Sequence, residues 1–211
     1  MIPHKFIAVE GIIGAGKSSL VQKIATYYKL PAFYEQFEDN SFLPKFYSNP
    51  LQNAFPLELS FLADRYNQVK KHVSNLYIFD DLVISDYYFG KSLVFAKVNL
   101  QPDEYALFSN IFQIMNGSLP KPDLLVYLYL DPQNAMKNIV NRGRSYEQSI
   151  KIDYLIKIQD AYMDYLKKQN DFAAIVIESN KLDFVNNIND FYKILKAIEN
   201  QYNRGLNRLF L

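Results

Sequence analysis

Gly11-Ile-Ile-Gly-Ala-Gly-Lys-Ser18 fits the spacing G-x-x-x-x-G-K-[ST], a phosphate-cradling P-loop. Gly11, Gly14, Ala15 and Gly16 leave room for backbone N–H groups to curl around a phosphate, and the following helix N-terminus adds its positive end. Lys17 can then reach the β- and γ-phosphates, the Ser18 hydroxyl can hold Mg²⁺, and Ser19 extends the cradle. The loop sits in the context this chemistry needs. Phe6-Ile-Ala-Val9 before it reads as a buried strand, and Ser19–Tyr28 after it carries Leu20, Ile24 and Tyr27 or Tyr28 at helical spacing. A nucleoside triphosphate is the expected ligand.

Carboxylates and arginines further along could complete a phosphoryl-transfer site. Transfer to a hydroxyl needs a group that accepts the hydroxyl proton and orients the oxygen in line, and Glu35 closes the second expected strand. Glu10, Asp86 and Asp131 stand at the ends of other strands, where open parallel sheets gather their ligands. Asp86 alternatively caps a helix starting at Tyr87. Arg142 and Arg144 lie between two helical segments, where guanidiniums can close over a triphosphate or, more simply, complement a helix C-terminus. Glu58 and Arg65 are two helical turns apart with Phe61 and Leu62 between them, so they project from one face and could pair with each other.

The elements that must position these residues alternate. Expected strands are Phe6–Val9, Ala32–Tyr34, Leu82–Ser85, Leu124–Leu130 and Ala174–Ile177, with amphipathic segments at 18–29, 53–74, 87–98, 103–117, 133–142, 151–169 and 187–202. That order predicts an α/β fold: a five-stranded parallel sheet with helices on both faces, in one domain spanning residues 1–211. Residues 203–211 carry no clear assignment and either dock or fray.

Composition narrows the function classes. A net charge of +1 and no basic run disfavour a nucleic-acid partner. With no cysteine, disulfides, thiolate metal sites and thiol nucleophiles are excluded. No apolar stretch approaches the roughly 18 residues of a membrane span. The first strand begins about five residues in, ahead of which a signal peptide does not fit, so a cytoplasmic location is expected.

Taken together, Phe33-Tyr-Glu35, Phe46-Tyr-Ser-Asn-Pro50, Ala54-Phe-Pro-Leu-Glu-Leu-Ser-Phe-Leu62 and Arg142-Gly-Arg-Ser-Tyr-Glu-Gln148, with Glu38-Asp-Asn40 between, resemble the deoxynucleoside kinases, particularly the bacterial deoxyadenosine/deoxyguanosine kinase branch. The resemblance runs from about residue 5 to Asp183-Phe-Val185. It implies a P-loop fold and ATP with Mg²⁺ as cofactors, Asp183 and Phe184 joining the loop residues and Arg142 around ATP. It also implies a homodimer and an arginine-bearing lid at about 142–150. Glu35 would activate the substrate 5′-hydroxyl, while Tyr47 and Glu147 hold the deoxyribose 3′-hydroxyl. Phe61 and Asp86 would line the substrate site, Asp86 also touching the metal through water.

Glu58 stands where many members of that family hold a glutamine. An ionised carboxylate only accepts hydrogen bonds, which suits the adjacent N1–H and 2-amino donors of guanine, and Arg65 could donate to guanine N7 and O6. A purine preference follows, guanine ahead of adenine.

The chain departs from the family pattern twice. The arginine expected beside Asp86 is missing, with Lys91 one turn further on as a partial replacement, and Asn138 stands where an arginine precedes the lid. Two other functions compete. A thymidylate-kinase-like enzyme would need arginines around its acceptor phosphate, and Tyr34-Glu-Gln-Phe37 has none. A non-catalytic nucleotide-binding module would leave Glu35, Tyr47 and Glu147 without a purpose.

Overall fold

The computed structural model describes residues 2–36, 40–73 and 82–209. Glu38 and Asp39 of the sequence motif, Ser74 at the end of the expected 53–74 helix, and Phe210 and Leu211 of the tail lie outside the described residues. In chain order the elements are β1 (Phe6–Gly11), α1 (Lys17–Tyr28), β2 (Ala32–Phe33), α2 (Leu43–Ser48), α3 (Pro50–Val73), β3 (Val83–Ser85), α4 (Lys91–Asn99), α5 (Pro102–Asn116), β4 (Leu124–Tyr129), α6 (Pro132–Arg142), a 3₁₀ turn (Ser145–Glu147), α7 (Ile152–Lys168), β5 (Ala173–Glu178), α8 (Ile188–Ile198) and β6 (Gly205–Leu209).

The strands form one sheet in the order β2-β3-β1-β4-β5-β6, parallel at every pair. β1 is central and buried along its whole length, as its apolar run requires. Its neighbour β4 aligns Glu10 with Tyr127 and Gly11 with Leu128, so the phosphate loop leaves the middle of the sheet at the strands' carboxyl end. α1 and α8 meet through Tyr27 and Phe191, ring centroids 5.9 Å apart, and α4 packs against α3, α5 and α7. Among the described residues no helix is long and apolar enough to cross a membrane.

Two expectations need correction, and a third point is a helix that was not assigned from the sequence. The sheet has six strands, not five, because Gly205–Leu209 pairs along β5 instead of fraying. Gly-Leu-Asn-Arg-Leu alternates too weakly to announce an edge strand. Second, the helix expected over 87–98 begins at Lys91, so Asp86 is not its cap. Residues 86–90 spend their backbone elsewhere: Tyr88 N–H donates to Glu10 and the Ser85 hydroxyl to Tyr87 O. Tyr87, Tyr88 and Phe89 are all buried there. A Cβ at Gly90 would sit 2.4 Å from the Tyr165 hydroxyl, which explains the small residue. Third, Leu43–Ser48 forms a short helix that its Pro44 and six-residue length concealed.

Candidate functional site

The phosphate loop is built as its glycines demand. Gly14 and Gly16 adopt φ of 85° and 87°, the left-handed region that side chains disfavour. A Cβ on Gly14 would lie 2.4 Å from Ala135 O, so α6 packs directly on the loop, and Asn138 Nδ2 donates to Gly14 O at 2.9 Å. Where an arginine was expected, the chain therefore places a residue that braces the loop. Phe184 closes the other side, 3.0 Å from where a Gly16 Cβ would be. Its segment is tied to α1 by Lys23, whose ammonium donates to Phe184 O and Val185 O, and Asp183 accepts from Asn186 one turn away.

Lys17 lies inside the loop with its ammonium donating to Gly11 O and Ile12 O, both at 3.0 Å. Burial, reinforced by repulsion from Lys91, lowers its pKa to about 8 despite the carboxylates of Glu10, Glu35 and Asp86. Glu10, 1% exposed, accepts from Tyr88 N–H and the Tyr162 hydroxyl, and burial raises its pKa. The Ser18 hydroxyl donates to Asp86 Oδ2, and Asp86 Oδ1 accepts from Glu35 N–H at 2.8 Å. Asp86 thus joins the phosphate loop to the segment after β2. Among the described residues no three metal-ligating side chains cluster. A hydroxyl beside a single carboxylate suits Mg²⁺, which keeps waters and takes phosphate oxygens instead of demanding a protein cage.

Glu35 is held by two buried cations. Its Oε1 accepts from Arg65 Nε at 2.8 Å and pairs with Nη2 at 2.7 Å, while Oε2 pairs with Lys91 at 2.5 Å. Burial alone would push its pKa up; the Lys91 and Arg65 charges and their hydrogen bonds overcome that and hold it down to about 2. The carboxylate is therefore charged and fixed at any working pH. Arg65 also donates to Ser92 Oγ at 3.0 Å and lies over the Phe61 ring, 4.8 Å from its centroid. The sequence left open whether Arg65 pairs with Glu58; it pairs with Glu35. Lys91, one turn beyond the place of the missing arginine, is held as a cation against Glu35.

Glu58 is 1% exposed on α3. Its Oε1 accepts from Asn99 Nδ2 at 2.7 Å, and its buried Oε2 has no hydrogen-bond partner. Burial raises its pKa to about 7 against the opposing pull of Arg65, Asn99 and Lys91. Neither Asn99 nor Tyr154, whose hydroxyl accepts from the same Asn99 nitrogen at 3.1 Å, was singled out in the sequence. Nothing local marks them: one ends α4 and the other opens α7, about fifty residues apart.

In the segment expected to form the lid, α6 ends at Arg142 and the 3₁₀ turn carries Glu147. Arg142 grips the Glu147 carboxylate with Nη2 at 2.7 Å from both oxygens, and Arg144 Nη1 lies 3.6 Å from Oε1. Both lid arginines are folded onto Glu147 in this structure. Tyr47 stacks near Tyr146, centroids 6.5 Å apart, and burial beside Glu147 raises its pKa.

A cavity of about 280 Å³ brings most of the expected residues together: Gly14, Lys17, Ser18, Ser19, Glu35, Tyr47, Glu58, Phe61, Arg65, Asp86, Arg142, Arg144 and Glu147 all line it. Gly11, Ala15 and Gly16 form the loop beneath, while Asp183 and Phe184 stand outside the cavity, Phe184 against Gly16. Leu43, Phe46, Leu57 and Phe95 supply apolar walls that spacing alone did not reveal. One end of the cavity can hold phosphates, the other a flat apolar group with polar edges, and Glu35 stands between them.

Comparison with known proteins places the fold and the family. The deoxynucleoside kinase family model matches residues 7–203. A deoxyguanosine kinase of Bacillus subtilis is 32% identical over 198 residues, covering 92% of this chain and 96% of that protein. A deoxyadenosine kinase of Lactobacillus acidophilus is 32% identical over 208 residues, covering 92% and 94%. The structure of deoxyadenosine kinase from M. mycoides with bound dATP shares the fold at a TM-score of 0.80 and 24% identity, covering 92% of this chain and all of that one, 100%. A second structure of that enzyme, with products dCMP and a flexible dCDP bound, superposes at 0.79 with 26% identity and coverages of 92% and 98%. The chain belongs to the deoxynucleoside kinase family, and its reaction is the phosphorylation of a deoxynucleoside.

Proposed function

We propose that this kinase transfers the γ-phosphate of ATP, with Mg²⁺, to the 5′-hydroxyl of a purine deoxynucleoside in nucleotide salvage. It does so as a single domain over residues 1–211, in the cytoplasm and as a homodimer. Glu35 carries the reading. A buried carboxylate with two cationic partners, set between the phosphate loop and the apolar end of the cavity, is where an acceptor hydroxyl must be held. Both cations near the acceptor end are committed to Glu35, leaving little for an acceptor phosphate and favouring a nucleoside over a monophosphate.

Lys17 and the loop amides bind the β- and γ-phosphates. Ser18, with Asp86 behind it, would hold Mg²⁺, which would supply positive charge against that developing on the phosphates. Glu35 accepts a hydrogen bond from the 5′-hydroxyl and fixes the oxygen in line. With a pKa near 2 it is a weak base, so it orients the hydroxyl and takes its proton only late, after the oxygen has begun to bond to phosphorus. Tyr47 and Glu147 hold the 3′-hydroxyl, with Arg142 orienting Glu147. Arg142 and Arg144 can exchange part of their hold on Glu147 for the transferring phosphoryl group when ATP is present. Asp183 and Phe184 flank the donor nucleotide, and Glu58, Phe61 and Arg65 surround the acceptor base.

The test is Mg·ATP with the four deoxynucleosides, guanosine and thymidine monophosphate, following ADP release. Turnover of deoxyguanosine or deoxyadenosine with the monophosphate inert is expected; turnover of the monophosphate alone contradicts the proposal.

Lys17 adds a second expected result. Its depressed pKa must rise when phosphates arrive, so ATP binding at pH 8.5 takes up as much as about three quarters of a proton. Calorimetry in buffers of different ionisation enthalpy reads this directly; no uptake would mean Lys17 is already fully charged in the free enzyme.

A further inference from the structure

Glu58 presents a feature that base shape alone does not explain. Glu58 lines the cavity; its Oε2 is buried and meets no donor, while Oε1 is held by Asn99. An unsatisfied buried carboxylate oxygen is costly, and native proteins rarely keep one without a use. The charged groups around it are committed elsewhere. Arg65 on its own helix and Lys91 on α4 both bind Glu35, and Arg142 at the lid binds Glu147. Tyr47 from α2 and Tyr154 from α7 face it as neutral hydroxyls whose own pKa values are raised by burial. Arg65 and Lys91 act on Glu58 only at longer range, and among the described residues no cation forms an ion pair with it.

We propose that Glu58 reads the purine by its proton: as a carboxylate it accepts guanine, as a carboxylic acid it accepts adenine, and Asn99 decides which oxygen carries the proton. This rests on the placement of Glu58 at the acceptor base made above. Guanine offers two adjacent donors, N1–H and the 2-amino group; ionised Oε2 takes one, and the lone pair that Asn99 leaves on Oε1 takes the other. Adenine offers an amino donor beside the N1 acceptor. Protonated Oε2–H donates to N1 while Oε1 accepts from the 6-amino group. Because Asn99 already donates to Oε1, the proton belongs on Oε2, so Asn99 is a positioning residue. Burial that brings the Glu58 pKa to about 7 puts both forms within reach near neutral pH. The exchange is with solvent: above that pH adenine binding takes up a proton, and below it guanine binding releases one.

The experiment measures kcat/KM for deoxyguanosine and deoxyadenosine from pH 6 to 8, on the wild type, Glu58→Gln and Asn99→Leu. In the wild type the deoxyguanosine-to-deoxyadenosine ratio should rise by up to about tenfold per pH unit. In Glu58→Gln the ratio should be flat and favour deoxyadenosine, since an amide supplies one donor and one acceptor. Asn99→Leu removes a bond that favours the carboxylate, so the pH at which the two substrates are equal should move upward. An unmoved crossing would overturn the role of Asn99. A flat wild-type ratio that Glu58→Gln nevertheless changes would overturn the proton reading while leaving Glu58 at the base. A ratio unaffected by Glu58→Gln at every pH would remove Glu58 from the base altogether, and turnover of neither purine would overturn both.

Discussion

Replacing Glu35 by glutamine should lower kcat by about 10²–10⁴-fold, the usual contribution of a positioned carboxylate in proton transfer. The substitution keeps the shape and removes the charge. An amide can still accept a hydrogen bond from the 5′-hydroxyl, but it cannot take the proton, and its NH₂ group would face Lys91 or Arg65. Stability should fall as well, because two buried cations lose their counter-charge. Breaking a buried pair in this way costs about 3–5 kcal/mol, or roughly 10 °C in a chain of this length. ATP binding should survive, since Lys17 and the loop are untouched, so Mg·ATP still raises the melting temperature of the variant.

The same ion pairs fix the pH behaviour. The Glu35 pKa is lower in the folded protein, about 2, than its ordinary value of 4.5. Its contribution to stability is therefore complete above pH 4.5 and is lost as pH falls through 2. Glu35 accordingly adds no acid limb to the rate profile near pH 4–5. Such a limb disappearing in Glu35→Gln would mean that the Lys91 and Arg65 contacts do not persist in solution.

Lys17→Met should give the opposite pattern. Loss of one preorganised positive charge from the phosphate site should lower kcat/KM by about 10²–10³-fold. Mg·ATP should no longer raise the melting temperature appreciably. Yet the free enzyme should lose little stability. Lys17 has a folded pKa of about 8, below its ordinary 10.5, so at pH 7 its buried charge opposes folding. That cost grows as pH falls from 10.5 towards 8 and is complete below, and an apolar side chain relieves it. Thermal melting with and without Mg·ATP, beside steady-state rates, separates the two variants. A large loss of stability without nucleotide in Lys17→Met would show that its bonds to Gly11 O and Ile12 O hold the loop together.

Residues that act within one local turn were legible in the sequence. Gly11–Ser18 needs only a strand before it and a helix after it, and both were readable from apolar spacing. Arg142, Arg144 and Glu147 lie within six positions and were each singled out, though their grip on one another was not expected. What joins distant segments was not legible. On a helical wheel Arg65 shares a face with Glu58, and only the approach of the segment after β2 brings it Glu35 as a partner. Asn99 and Tyr154 acquire a role only because α4 and α7 converge on Glu58.

The fold shows the same divide. β1, β3, β4 and β5 carry runs dense enough in apolar residues to announce buried strands. β6 is an edge strand with one neighbour and a mixed face, so its pairing with β5 depends on the sheet already being there. The start of α4 was misplaced for a related reason. Tyr87 and Tyr88 fit a helical pattern, but Glu10 and Ser85 draw the backbone at 86–90 into a turn that aims Asp86 at Ser18. The capping chemistry expected of Asp86 is thereby redirected to the site.

The most direct test of a hydroxyl-accepting site centred on Glu35 is to follow the phosphoryl group itself. Enzyme, Mg²⁺ and ATP labelled at the γ-phosphate are incubated with deoxyguanosine and thymidine monophosphate together, and the labelled products are separated. The account predicts label on the 5′-oxygen of deoxyguanosine, one equivalent for each ADP formed, and none on the monophosphate. Label released as inorganic phosphate, or carried by the thymidine nucleotide, would contradict it.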